Sequence, residues 1–239
     1  MQIRAESRSN SLVIDRHHSI HTEIKEPGPA IPKDAWKRLE KKIMQIAPTC
    51  SWVVFAGSPP PGAPSTLYYE LIQKTQTAGV KVALDTRGPW LKEGIKACPD
   101  LIKPNWEEFQ ELVGPCYSTV QALEKAGRIV EEEGVGIVVV SMGAKGALAV
   151  DRQHSYLVQQ LPPIKVASPI GSGDTLVAGL LAKLQDGWDF APAFRFSLAA
   201  ASSNASHFGA GVIDLDQTAA LEHEIAVEQI QHRRNSHVR

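Results

Sequence analysis

Asp174 closes the run Ser168-Pro-Ile-Gly-Ser-Gly-Asp-Thr175, a glycine-rich turn set directly before an apolar, helix-patterned stretch. Such a turn aims backbone N–H groups at one point. The helix that follows adds the positive end of its dipole, so an anion belongs there. In a phosphoryl transfer the peripheral oxygens of the moving group need neutralising and the acceptor oxygen needs aiming. The amides of Gly171, Ser172, Gly173 and Asp174 meet the first need as an anion hole. The Asp174 carboxylate meets the second, as general base toward an attacking hydroxyl. The same tetrapeptide also describes an ordinary helix start with Asp as its cap, and on these residues alone both readings stand. The run lacks the Gly-Lys-Ser/Thr of a Walker loop and the Gly-x-Ser-x-Gly of a nucleophile elbow.

Four further places carry chemistry-bearing residues. Ser141-Met-Gly-Ala-Lys-Gly146 ends an apolar run in a glycine-bearing turn. Backbone approach and a hydroxyl there suit a nucleotide phosphate or ribose, while a tight hairpin turn explains the same residues and is favoured. Asn105 and Glu108 stand three apart on one helix face. An amide and a carboxylate so placed suit Mg²⁺ held through water, but they also spell a capping box, which the residues alone favour. Gly57-Ser-Pro-Pro-Pro-Gly62 is a stiff loop in which Ser58 offers a hydroxyl and an amide; a simple proline-stiffened turn is the plainer reading. Arg8 and Asn10 flank a short apolar stretch, where a guanidinium suits a bidentate grip on phosphate.

These residues need elements to converge. Ser11 to Asp15 and Ser19 to Ile24 are strand-like pieces around the polar turn Arg16-His-His18, and a lone hairpin needs a partner surface. It reads as a lid on a larger body. After Pro27-Gly-Pro29 the pattern alternates. Helices are expected over 33–47, 65–78, 91–98, 106–113, 120–133, 174–185 and 193–207. Strands are expected over 52–56, 80–84, 100–102 and 136–141, with an antiparallel pair at 147–150 and 155–158. Repeated β–α units imply a mostly parallel sheet in three layers. Ligands then gather at the carboxyl ends of the strands, where Gly57-Ser58, Asp85-Thr86, Lys103-Pro-Asn105 and Ser141-Met-Gly143 all fall.

The bulk properties fit this. The chain has 239 residues, 43% hydrophobic and 21% charged, with net charge -1. That balance argues against nucleic acid or an anionic membrane as partner. The short basic tail Gln231-His-Arg-Arg234 reads as solvated. Cys50, Cys98 and Cys116 form no zinc or disulfide pattern, which fits a reducing, cytoplasmic setting. No signal-peptide core opens the chain and no apolar run reaches membrane-spanning length. Asn204-Ala-Ser206 matches a glycosylation triplet by chance.

In their order along the chain, Arg8-Ser-Asn10, Glu26-Pro-Gly-Pro29, Gly57-Ser-Pro-Pro-Pro-Gly62, Leu84-Asp-Thr-Arg-Gly88, Lys103-Pro-Asn-Trp-Glu-Glu108, Ser141 to Gly146 and Gly171-Ser-Gly-Asp174 resemble the PfkB branch of the ribokinase-like carbohydrate kinases. The similarity runs from about residue 4 to about residue 215, and is greatest to the hexose-phosphate kinases, 1-phosphofructokinase and tagatose-6-phosphate kinase. The resemblance implies a ribokinase-like α/β/α fold with a small β lid. Its expected boundaries are 1–28 for the lid, 29–228 for the kinase domain and 229–239 for a polar tail. It implies ATP and Mg²⁺ as cofactors and a phosphorylated hexose, of the fructose 1-phosphate or tagatose 6-phosphate type, as acceptor. Asp174 would be the base and Gly171, Ser172 and Gly173 the anion hole. Ser141, Gly143, Ala144 and Gly146 would line the ATP site, with Leu198 near adenine. Asn105 and Glu108 would order Mg²⁺ through water. Arg8, Asn10, Gly57 and Ser58 would touch the sugar phosphate, and the lid would admit a homodimer. The chain begins at the lid, so the resemblance implies an amino-terminal truncation. The family's first strands, a sugar-binding Asp and a Gly-Gly motif have no counterpart. The alternative reading is a fragment that binds nucleotide without turnover.

Overall fold

The computed structural model describes residues 5–15 and 20–231. The expected turn at Arg16 to His18 and the tail from 232 onward lie outside the described residues. Two strands, β1 (Asn10–Asp15) and β2 (Ile20–Lys25), form an antiparallel hairpin separate from the main sheet. Its register pairs Asn10 with Lys25 and Val13 with Thr22. Alternation therefore puts Asn10, Leu12, Glu23 and Lys25 on one face, and Val13 with Ile24 on the other. Val13 and Ile24 are 56% and 58% exposed.

The main sheet has seven strands in chain order: β3 (Trp52–Ala56), β4 (Lys81–Asp85), β5 (Leu101–Ile102), β6 (Ile137–Ser141), β7 (Ala147–Asp151), β8 (His154–Val158) and β9 (Glu228–Gln231). β3 to β6 are parallel, and β6 to β9 pair antiparallel. Among the described residues eight helices surround them: α1 (Lys33–Ile46), α2 (Leu67–Thr77), α3 (Gly88–Gly94), α4 (Trp106–Val113), α5 (Thr119–Glu132), α6 (Ser172–Gln185), α7 (Phe190–Ala205) and α8 (Leu215–Glu224).

The three layers follow from the two-residue period of the strands. Val82, Leu84, Val138, Val140, Leu148 and Val150 meet Ile72 of α2, Leu91 of α3, Phe109 of α4 and Val130 of α5. The intervening residues Ala83, Val139, Ala147 and Ala149 face Leu180 of α6, Phe194 of α7 and Leu221 of α8. Large residues fill one side. On the other, alanines let the small-residue helices α6 and α7 lie close to the sheet and to each other.

The sequence pattern had not placed α8 or β9. α8 buries only Thr218 and Leu221, with Leu215 69% exposed, so it carries almost no apolar stripe. β9 reads Glu-Gln-Ile-Gln and has one apolar residue to reveal it. The sheet accordingly reaches Gln231, past the expected domain boundary at 228.

Candidate active site

The turn before α6 is built as the glycine pattern requires. Gly171 is the N-cap of α6 in the left-handed region, φ 81°, so Ser172, Gly173 and Asp174 are its first three residues. The Gly173 and Asp174 amides precede the first i−4 acceptor and are free for a ligand, whereas the Ser172 amide donates to the Pro169 carbonyl at 3.3 Å and so leaves the expected anion hole to the other two. A side chain at Gly171 has no room either: its Cβ would sit 2.7 Å from Cα of Ala210. Asn204 of α7, fully buried, holds this turn in place. Its Nδ2 donates to the Ile170 carbonyl (2.9 Å) and to Ser172 Oγ (3.1 Å), and its Oδ1 accepts from the Gly211 amide (2.7 Å). This burial in a helix also removes Asn204 as a glycosylation acceptor.

Beneath the turn lies a buried ion pair. Lys103 Nζ is 3.3 Å from Asp85 Oδ1, with side chains 5% and 16% exposed. The same Nζ lies 3.3 Å from where a Cβ on Gly173 would stand. Glycine therefore lets the turn settle onto a cation, which adds positive potential to the anion hole. Burial pushes the Asp85 carboxyl up to about 6. Lys103 opposes that shift by charge and hydrogen bond, and the negative charges of Glu108 and Asp174 add to it.

The expected sugar-phosphate residues converge. Arg8 and Asn10 of the lid, Gly57 and Ser58 after β3, Glu108 of α4 and Asp174 line one cavity of about 290 Å³. Lys25, Asp85, Thr86 and Arg87 share its wall. Two hydroxyls fix the loop: Tyr68 and Thr86 both donate to the Gly57 carbonyl, at 2.8 and 2.9 Å.

A second cavity, about 740 Å³, lies on the other side of the start of α4 and is lined by Asn105, Ser141, Gly143 and Lys145, with Tyr117 at its rim. Asn105 and Ser141 are bridged in parallel at the ends of β5 and β6. Ala144 and Gly146 are not on this wall. The Ala144 carbonyl accepts from the Leu161 amide, and Gly146 lets β8 pass: its Cβ would fall 1.8 Å from the Val158 carbonyl. The run from Ser141 to Gly146 is thus the tight β6–β7 turn, with its first half also facing a cavity. Leu198 is 2% exposed in the core of α7 and reaches neither cavity.

Asn105 and Glu108 form the capping box. Asn105 Oδ1 accepts from the Glu108 amide and Glu108 Oε2 from the Asn105 amide, each at 2.9 Å. This leaves Glu108 Oε1 without a cap bond. Among the described residues no group of three His, Cys, Asp or Glu is placed to clasp a metal directly. One spare carboxylate oxygen, in the field of Asp85 and Asp174, does fit a hydrated Mg²⁺ held through its waters.

In the sequence Asp85 and Lys103 stand as motif members but not as partners, and Arg87 stands only inside the run Leu84 to Gly88. A lysine just before Pro-Asn at a strand end is the signal available for the pair. Asn204 is visible only as part of a glycosylation triplet, which gives no hint of its hold on the turn.

The pfkB family of carbohydrate kinases matches residues 6–217. A 1-phosphofructokinase of Rhodobacter capsulatus is 32% identical over 226 residues, covering 94% of this chain and 71% of the relative. One from Haemophilus influenzae strain Rd is 26% identical over 230 residues, covering 96% and 73%. Among solved structures, phosphofructokinase-2 from Escherichia coli in complex with potassium superposes with a TM-score of 0.83 at 28% identity, covering 92% of this chain and 71% of that one. Among the described residues no helix is long and apolar enough to cross a membrane.

Proposed function

The chain belongs to the pfkB family of carbohydrate kinases, and on that premise we propose that it transfers the γ-phosphoryl group of ATP to a hydroxyl of a phosphorylated ketohexose. Fructose 1-phosphate is the first acceptor to test, because it matches the names of the relatives in Rhodobacter and Haemophilus; tagatose 6-phosphate is the second. The carrying observation is that Asp174, at the start of α6, shares one cavity with Arg8, Asn10 and Ser58.

In the proposed step the Asp174 carboxylate takes the proton of the acceptor hydroxyl while the new O–P bond forms. The bond from γ-phosphorus to the bridging oxygen breaks, and ADP leaves. The amides of Gly173 and Asp174, with Lys103 below, receive charge on the transferred group. Ser141 and Gly143 border the nucleotide side. Asn105 and Glu108 would hold the waters of a bound Mg²⁺, which would neutralise phosphate charge. The free cysteines Cys50, Cys98 and Cys116 suit a reducing cytoplasm. The outward lid face with Val13 and Ile24 supports a homodimer through the lid.

Asp174→Asn should lower kcat by about 10²–10⁴-fold in a coupled ADP-release assay, with little change in ATP affinity. Wild-type turnover by that variant sinks the base assignment. ATP binding without turnover of any sugar phosphate by the wild type supports the nucleotide-binding reading instead.

A further inference from the structure

The substrate cavity has an unusual charge balance. Its wall carries the cations Arg8, Lys25 and Arg87 and the anions Glu23, Asp85, Glu108 and Asp174. Most of these are engaged within the protein. Lys25 pairs with Glu23 at 2.9 Å, Asp85 with Lys103, and Glu108 with the Asn105 amide. Asp174 is assigned to the acceptor proton. Two guanidiniums are left. Neither Arg8 nor Arg87 makes an ion pair or side-chain hydrogen bond among the described residues.

They come from unrelated elements. Arg8 stands just before β1 on the lid, with its aliphatic stem against Gly28, while Arg87 is the N-cap residue of α3, two residues beyond Asp85. A guanidinium is always charged and offers a planar fork that matches phosphate oxygens. Both line the same cavity, so one anion bound there meets two forks from opposite elements. A sugar phosphate carries about −1.5 to −2 charge at neutral pH, which balances two guanidiniums. The hydroxyl of Ser58 and the amide of Asn10 on the same wall supply uncharged donors.

We propose that Arg87 is the second arm of a two-arginine clamp, with Arg8 the first, on the phosphate that the acceptor sugar already carries. Arg87 is then a specificity-determining residue that makes the site choose phosphorylated over unphosphorylated ketohexose. The proposal rests on the kinase reading above.

The test compares wild type, Arg87→Ala and Arg87→Lys on fructose 1-phosphate and on fructose. Loss of a charged hydrogen-bonding arm should lower kcat/KM for fructose 1-phosphate by about 10- to 100-fold, mainly through KM. The loss on fructose should be smaller than about threefold, with KM for ATP unaltered, so the preference for the phosphorylated sugar collapses. Arg87→Lys should recover part of it. Because both arms hold one phosphate, Arg8→Ala with Arg87→Ala should lose less than the product of the single losses. Equal losses on both sugars, or none, overturn the clamp. Titration calorimetry with fructose 1-phosphate separates the two hypotheses. If the wild type binds it without turnover, the kinase reading fails, and weaker binding by Arg87→Ala still supports the clamp. Binding unchanged in Arg87→Ala, or absent in the wild type, overturns it.

Discussion

Asp85 shows how a single carboxylate is shaped by what surrounds it. Burial raises it to about 6 even though Lys103 pulls the other way. Between the ordinary carboxylate value near 3.9 and about 6, the folded protein therefore holds a proton that the unfolded chain has lost. Stability contributed by this group falls as pH rises through that window. Asp85→Asn has no such window. Denaturant unfolding of both proteins at pH 4 and pH 7 should show the wild type losing roughly 3 kcal/mol relative to the variant over that interval, at about 1.4 kcal/mol per pH unit. The stranded Lys103 lowers the variant at both pH values, so only the change of the gap with pH matters; a constant gap refutes the account. Asp85 and Lys103 were each visible as motif residues. Their pairing was not, because α3 separates the two residues along the chain and it is the lateral pairing of β4 with β5 that brings them together.

Elements position the turn before α6, and α7 does so through one amide. Asn204→Leu keeps the volume but leaves the Ile170 carbonyl and the Gly211 amide without partners. It should cost about 1–3 kcal/mol of stability. If the amide positions the anion hole, kcat should drop by about 10- to 100-fold while KM for the sugar phosphate stays within about twofold. A stability loss with full kcat would reduce Asn204 to a packing role. The apolar period and the glycine turns made α1 to α7 and β3 to β8 legible, with ends shifted by a few residues. At the strand ends the motifs Gly57-Ser58, Lys103-Pro-Asn105 and Gly171 to Asp174 were legible as well. α8 and β9 were hidden because little of either is buried. Leu198 was placed near adenine by the resemblance alone, and in the structure it packs in the core and lines neither cavity.

At the scale of the molecule the lid is the element least secured by the body. Its inner face supplies Asn10, Glu23 and Lys25 to the cavity, and its outer face leaves Val13 and Ile24 in water. A two-stranded ribbon with an uncovered apolar face is marginal alone, so a second copy meeting that face would stabilise it. Sedimentation velocity at micromolar concentration should find a dimer that Val13→Lys with Ile24→Lys converts to monomer; a wild-type monomer refutes the lid contact. The strand order bears on how this body is made. From β3 to β9 each strand lies beside the one synthesised just before it. From β3 to β8 the sheet can therefore grow one ribbon at a time as the chain leaves the ribosome, while β9 waits for α6, α7 and α8, which lie between it and β8 in the chain. The Gly57 loop, then the Asp85–Lys103 pair, then the Asn105 cap are in position before residues 171–174 emerge. The turn before α6 is laid after them, onto a floor already charged to receive it.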